Sequence, residues 1–237
     1  YGWLVRHRDP TCDYYAVSDQ DDRWMEGKAE TALELLSKIG KKEGPILFAS
    51  RSVITDHGMR PIGITKTPAR GLSFYNAMLQ NSCPGHTMIL NRELMVLVER
   101  YFHPDMLNFD WWVYLTAASF GKVIFSPKPT VYHRQHKENT VGIGGKIKGP
   151  AFFQRAVKTL RGDGRKVAKQ LAAFWACTRG ELPPAYQNEL EAFLSGQTRI
   201  RMRLKYFVTA KAFRQSRLDT FLFRWAYLLG AYRVAQQ

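Results

Sequence analysis

Cysteine is scarce in this chain. There are three, Cys12, Cys83 and Cys177, far apart and with no C-x-x-C pair. This excludes a disulfide framework or a thiolate zinc cluster as the organising device and favours a reducing, cytosolic setting. Long apolar runs are missing too: no stretch approaches the roughly 20 residues a helix needs to cross a bilayer. No repeat period or low-complexity tract is visible, which removes solenoids and propellers. Acids are in short supply, 20 against 35 Lys plus Arg, leaving a net charge of +15. Such a surplus calls for an anionic partner: nucleic acid, a phosphate-bearing substrate or an anionic membrane surface. No signal peptide is present, and the first residue, Tyr1, is not an initiator Met, so the chain reads as starting inside a longer one.

With 237 residues, 45% of them hydrophobic, the chain has enough for one domain core and a smaller appendage. A short apolar run, Tyr14 to Val17, reads as a buried strand. It leads straight into Asp19, Asp21 and Asp22. Three crowded carboxylates repel one another, so a cation belongs among them. A hard divalent ion takes oxygen ligands and shares them with substrate phosphate. The competing reading is an acidic surface turn, or an N-cap cluster for the following helix.

That helix is expected over residues 26–39, with Ala29, Ala32, Leu33, Leu36 and Ile39 on its apolar face and Gly40 as C-cap. Pro45 to Ser50 reads as a second buried strand. The strand–helix–strand order argues for a βαβ unit and an α/β sheet. Residues 55–71 are a loop or short hairpin, 72–80 a helix and Met88 to Leu90 a short strand. Asn91 is placed to cap a helix through Tyr101. A further helix opens at Phe109-Asp110-Trp111-Trp112 and stops at Gly121. Strand pieces follow over 122–127 and 127–132, then the donor-rich segment His133 to Asn139. Beyond Lys146 the pattern turns helical, over 151–177 and 185–195. Residues 199–237 hold nine Lys or Arg against one acid, Asp219, interleaved with Leu, Phe and Trp. A boundary near 145 separates an α/β catalytic part (1–145) from a basic amphipathic helical region (146–237).

Several residues can carry chemistry. Asp110 is either a general base near a substrate hydroxyl or a helix N-cap. Trp111 and Trp112 either stack on a sugar face or fill the core. Arg134 suits bidentate phosphate contact, and His136 is a metal ligand or diphosphate donor; a solvated polar loop is the plain alternative. Gly85-His86-Thr87 offers close backbone approach and a hydroxyl, or is an ordinary turn before a strand. Together the parts fit one reaction. A metal at Asp19 and Asp21 neutralises a departing diphosphate, Arg134 and His136 assist, and Asp110 deprotonates the attacking hydroxyl. With one base and no second nucleophilic carboxylate, sugar transfer would invert. Phosphodiester cleavage uses similar parts.

The ordered set Ser18-Asp19-Gln20-Asp21-Asp22-x-Trp24, Gly85-His86-Thr87-Met88, Asp110-Trp111-Trp112 and Arg134-Gln135-His136-x-x-Asn139 resembles glycosyltransferase family 2, in its rhamnosyltransferase-like branch. The resemblance runs from Tyr1 to about Gly142. It implies part of a GT-A fold, an inverting mechanism, a divalent metal (Mg²⁺ or Mn²⁺) and a nucleotide-sugar donor, dTDP-rhamnose or a UDP-hexose. It implies Asp19 and Asp21 as the metal pair with His136, and Asp110 as base. Asp22, Arg134 and His136 would lie at the donor diphosphate, and Gly85, His86, Thr87, Trp111 and Trp112 at the acceptor. The acceptor would be a saccharide or a lipid-linked saccharide of bacterial surface polysaccharide synthesis, handled at the inner face of the cell membrane. Two departures stand out. Phe109 occupies a position where members often have His, and the nucleotide-binding half that members place first does not precede Tyr1. The chain alone is therefore expected to bind donor poorly and to be inactive. The basic tail reads as an interfacial helix pair for an anionic membrane, or as a helical subdomain packed on the core. The alternative class is a nucleic-acid-binding module or a non-catalytic scaffold; the tail carries no recognised nucleic-acid motif.

Overall fold

The computed structural model describes residues 2–38, 44–135 and 164–234. The chain divides into two compact units. One comprises Tyr1–Pro68, Asn81–Arg100 and Phe109–Lys146, the other Ala69–Gln80, Tyr101–Asn108 and Ile147–Gln237.

The first unit is mixed α/β. Its elements are α1 (Gly2–Arg6), β1 (Tyr14–Ala16), β2 (Arg23–Trp24), α2 (Lys28–Ser37), β3 (Ile46–Thr55), β4 (Pro61–Ile64), a 3-10 turn (Gly85–Thr87), β5 (Ile89–Asn91), α4 (Arg92–Arg100), α5 (Phe109–Phe120) and β6 (Lys122–Arg134). The label α3 belongs to Phe74–Ala77 of the second unit. The sheet has the order β1-β5-β3-β6-β2, with β4 paired to β3. β3 and β6 run parallel; β1–β5, β5–β3, β2–β6 and β3–β4 are antiparallel. β1 is therefore parallel to β3, but β5 lies between them, so the expected βαβ unit is split by an inserted strand. β1 is a sheet edge and Tyr14 is exposed, not buried as its apolar sequence suggested.

β3 supplies the centre. Leu47, Phe48 and Ala49 are fully buried, with Leu90 of β5 paired to Leu47 on one side and Val123, Ile124 and Phe125 of β6 on the other. A strand covered on both faces needs this unbroken apolar run rather than alternation. α5 is apolar on every side, and Trp112, Val113, Tyr114 and Leu115 are fully enclosed. Each such side chain contributes about 1.5–3 kcal/mol by leaving water. Gly121 follows the last residue of α5, and a Cβ there would stand 1.9 Å from the Pro45 carbonyl oxygen, so only glycine fits. Lys122 N–H donates to that same oxygen at 2.9 Å, which starts the β3–β6 ladder. Asn91 caps α4 as expected: its Oδ1 accepts from Leu94 N–H at 3.1 Å and from Ile46 N–H at 2.8 Å, tying helix to sheet.

The two extended pieces anticipated over 122–132 are one strand with a slip in it. Ser50 pairs with Ser126, Arg51 with Pro129 and Ser52 with Val131. β3 thus advances two residues while β6 advances five. The two prolines, Pro127 and Pro129, cannot donate to a ladder, which is why the extra residues collect there.

α2 is shorter and turned relative to expectation. Lys28, Ala32 and Leu36 face inward, while Ala29 and Leu33 are exposed; Ile39 and Gly40 lie outside the described residues.

The second unit contains α3, α6 (Gly164–Thr178), α7 (Pro184–Ser195), α8 (Ile200–Thr209) and α9 (Arg217–Leu228). The helix expected over 151–177 is described from Gly164. An aromatic cluster of Phe193, Tyr206, Tyr227 and Tyr232 forms its centre, with ring centroids 4.8–6.0 Å apart. Glu189 is buried beside it. Its Oε1 accepts from the Tyr206 hydroxyl at 2.8 Å and from the N–H groups of Lys211 and Ala212 at 3.0 Å each. The tail thus builds a packed core. It also leaves Leu204 and Val208 of α8, and Leu218, Phe221 and Trp225 of α9, exposed. Among the described residues no helix is long and apolar enough to cross a membrane.

Candidate active site

The acidic turn sits where the β1 segment hands over to β2. Val17 N–H donates to Met88 O at 3.2 Å, and Arg23 and Trp24 pair with Tyr132 and Val131. This carries Asp22 to the end of β6. Its side chain is fully buried. Oδ1 accepts from Arg134 N–H at 3.0 Å, and both carboxylate oxygens lie 3.0 Å from His133 Nδ1. That hydrogen bond is the main reason His133 titrates above its ordinary range; burial opposes it, and the charges of Asp22, Asp19 and Asp21 add to it.

The 3-10 turn brings His86 to the same place. Its ring is parallel to that of His133, with centroids 4.5 Å apart and planes within 2°. Nδ1 lies 3.4 Å from Asp22 Oδ2 and 3.6 Å from Asp19 Oδ2. Nε2 is 2.7 Å from Ser52 Oγ on β3. The His86 carbonyl accepts from Lys28 Nζ at 2.8 Å. Lys28 is 2% exposed, with its ammonium 3.8 Å from the centre of the Trp24 ring. Burial lowers its pKa to about 8 against the opposing pull of Asp22 and Asp19.

One residue earlier, Gly85 N–H donates to Asp110 Oδ2 at 3.1 Å, while Trp111 N–H donates to Oδ1 at 2.8 Å. Asp110 therefore spans the start of α5 and the 3-10 turn. Burial raises its pKa above 3.8 despite these hydrogen bonds and one from Asn81, and the Asp19 charge raises it further. A Cβ on Gly85 would approach Asp110 Cβ to 3.1 Å, so glycine fits the contact best.

The fold thus gathers Asp19, Asp22, His86, His133 and Asp110 into one region. Asp21 is partly exposed and acts on it through charge. Arg134 contributes its backbone N–H to Asp22, while its Nε points to Met59 Sδ at 3.1 Å in the β3–β4 turn. His136 lies outside the described residues. Trp111 and Trp112 are core residues at 8% and 0% exposure, so neither presents a face on which a sugar could stack. Thr87 is fully buried, its hydroxyl donating to Pro84 O at 2.8 Å, and His86 turns to the carboxylates rather than outward. Lys28, Ser52, Asn81 and His133 escaped sequence reasoning. Only His133 carried a signal, its place in the donor-rich segment.

No family model matches the chain. It is 25% identical over 169 residues to the dTDP-rhamnosyl transferase RfbG of Shigella flexneri. The alignment covers 68% of this chain and 56% of that protein, so the chain spans about half the length of the curated relative it matches.

Proposed function

We propose that this chain carries the base-bearing part of a GT-A-type, inverting glycosyltransferase of family 2. Its substrate would be a nucleotide-sugar, dTDP-rhamnose or a UDP-hexose, and its acceptor a saccharide or lipid-linked saccharide of surface polysaccharide synthesis. The observation that carries the reading is Asp110: a buried carboxylate with raised pKa, held by two backbone N–H groups beside an acidic turn. A base poised above the ordinary carboxylate range accepts a proton more readily in the transition state. The likeness to a dTDP-rhamnosyl transferase supports the same class.

Three carboxylates that all act on His133 make an excess of negative charge, a donor set that fits a divalent cation. Asp19 and Asp21, with His136 beyond the described residues, would hold Mg²⁺ or Mn²⁺. When bound, the ion would supply charge neutralisation to the departing diphosphate. Asp110 orients and deprotonates the acceptor hydroxyl. Gly85 and Trp111 fix its two oxygens, and Asp22 anchors the end of β6 from which Arg134 projects.

The test is a donor screen on the full-length protein, with and without Mn²⁺, comparing wild type with Asp21→Ala and Asp110→Asn. Loss of transfer in both variants is expected. Transfer surviving both refutes the roles.

The exposed apolar residues of α8 and α9 favour a membrane-facing role for the second unit. Leu204, Val208, Leu218, Phe221 and Trp225 face outward beside Arg201, Lys205 and Arg217, the arrangement of an interfacial helix. Flotation with anionic vesicles is expected. Failure to float at low salt removes this role.

A further inference from the structure

Within the second unit, α6 and α7 line a cleft of about 680 Å³, a volume in the range of small-molecule sites. Helical spacing builds its walls. Trp175 and Arg179 stand one turn apart at the end of α6, and Gln187, Glu191 and Ser195 follow one another by a turn along α7. Each set therefore forms one stripe. The stripes run beside the packed faces, whose residues are Phe174 and Thr178 on α6 and Leu190 and Phe193 on α7. Gly180 turns the chain directly after Arg179 with φ +90°, a conformation that glycine takes without strain.

The half-buried Trp175 gives the cleft an aromatic wall. Polar side chains of both kinds surround it: Arg179 donates, Glu191 accepts and the Ser195 hydroxyl does both. The Gln187 amide is fixed by Nε2 donating to Leu182 O at 2.7 Å, which leaves Oε1 as its acceptor. One positive and one negative side chain cancel here, in a chain of net charge +15. A phosphate would need a surplus of positive charge and donors, and an apolar ligand would leave the polar groups unpaired. A neutral polyhydroxylated ring meets both demands: its C–H face lies on the indole, and its hydroxyls donate to Glu191 and accept from Arg179.

We propose that this cleft binds a neutral saccharide, with Trp175 as the stacking platform and Arg179, Gln187 and Glu191 as partners of its hydroxyls. The binding does not rest on the transferase reading. Within that reading the site would retain the acceptor chain, a task that Trp111 and Trp112 cannot serve from the core.

The test uses the 237-residue chain labelled with fluorotryptophan and followed by fluorine NMR, without nucleotide-sugar. The probes are a rhamnose disaccharide, maltotriose and diacetylchitobiose. Trp175→Phe identifies the Trp175 resonance among the six indoles. At least one probe should shift that resonance saturably and more than the others, a readout on the wild type that is independent of how variants fold. Trp175→Ala should weaken binding about tenfold, the order set by one aromatic contact. Glu191→Gln, at an exposed side chain, should weaken it severalfold through loss of a charge-assisted hydroxyl contact. Inorganic phosphate should not compete. Absence of a saturable shift centred on Trp175 with all three probes, full affinity in either variant, or displacement by phosphate overturns the proposal. Saccharide binding by this chain with no sugar transfer by the full-length protein would instead count against the transferase reading alone.

Discussion

Glu189 gives the sharpest thermodynamic test of how the second unit holds together. One oxygen, Oε1, accepts from the Tyr206 hydroxyl and from the N–H groups of Lys211 and Ala212. The residue is 6% exposed and Tyr206 is 2% exposed, so water does not replace the carboxylate easily. Glu189→Leu fills the space but leaves these donors without their acceptor. A buried donor left unsatisfied costs about 1–3 kcal/mol. The Lys211 side chain is exposed and its N–H is the one most able to find water, so two full penalties are expected: a loss of about 2–6 kcal/mol. Glu189→Gln keeps an oxygen in place and forfeits only the charge assistance, about 1 kcal/mol. Because a chain of two units need not unfold in one step, hydrogen exchange at the Lys211 and Ala212 amides is the appropriate assay, with urea unfolding beside it. Protection at both amides should fall strongly in Glu189→Leu and slightly in Glu189→Gln. Wild-type protection at Ala212 in the Leu variant would refute the argument that this acceptor organises the α8–α9 link.

Two further outcomes follow from the first unit. The Asp110 base form is lost as pH falls through a value raised above 3.8, so kcat/KM of the full-length protein should decline on the acid side at a pH above that of an ordinary carboxylate. Asp110→Asn should lower the rate about 10²–10⁴-fold and abolish that limb; an unchanged acid limb would assign it elsewhere. Gly121→Ala sets a methyl 1.9 Å from the Pro45 carbonyl oxygen. Backbone must move, at a cost of about 1–3 kcal/mol or more, read as a lower urea midpoint; an unchanged midpoint would contradict the close approach.

Much of the first unit was legible in residue order. Asn91 as a cap and the hairpin near 55–71 are local signals decided by neighbouring residues, whereas Gly121, also legible as the stop of α5, is required by the distant Pro45 carbonyl. The inward face of α2 was read correctly at Ala32 and Leu36 but not at Ala29 and Leu33, because periodicity arguments never bury a lysine; Lys28 turns inward on account of the His86 carbonyl and the Trp24 ring, both supplied by other segments. The indoles of Trp111 and Trp112 were open to two readings, and only their burial in the folded chain decided for the core. The pairing of His86 with His133 was invisible for a similar reason. It depends on how the 3-10 turn meets the end of β6, and no spacing within either segment encodes that.

The slip between β3 and β6 has a consequence for how this chain tolerates changes in length. Three additional residues lie on β6 between Ser126 and Val131, an odd number. Side chains on a strand alternate between faces, so an odd offset exchanges the two sides for everything downstream. Tyr132, His133 and Arg134 owe their orientation to this parity. Removing a single residue around Pro127–Pro129 would leave a pairable strand yet turn the imidazole away from Asp22, so family alignments should hold the residue count here more firmly than the residue types.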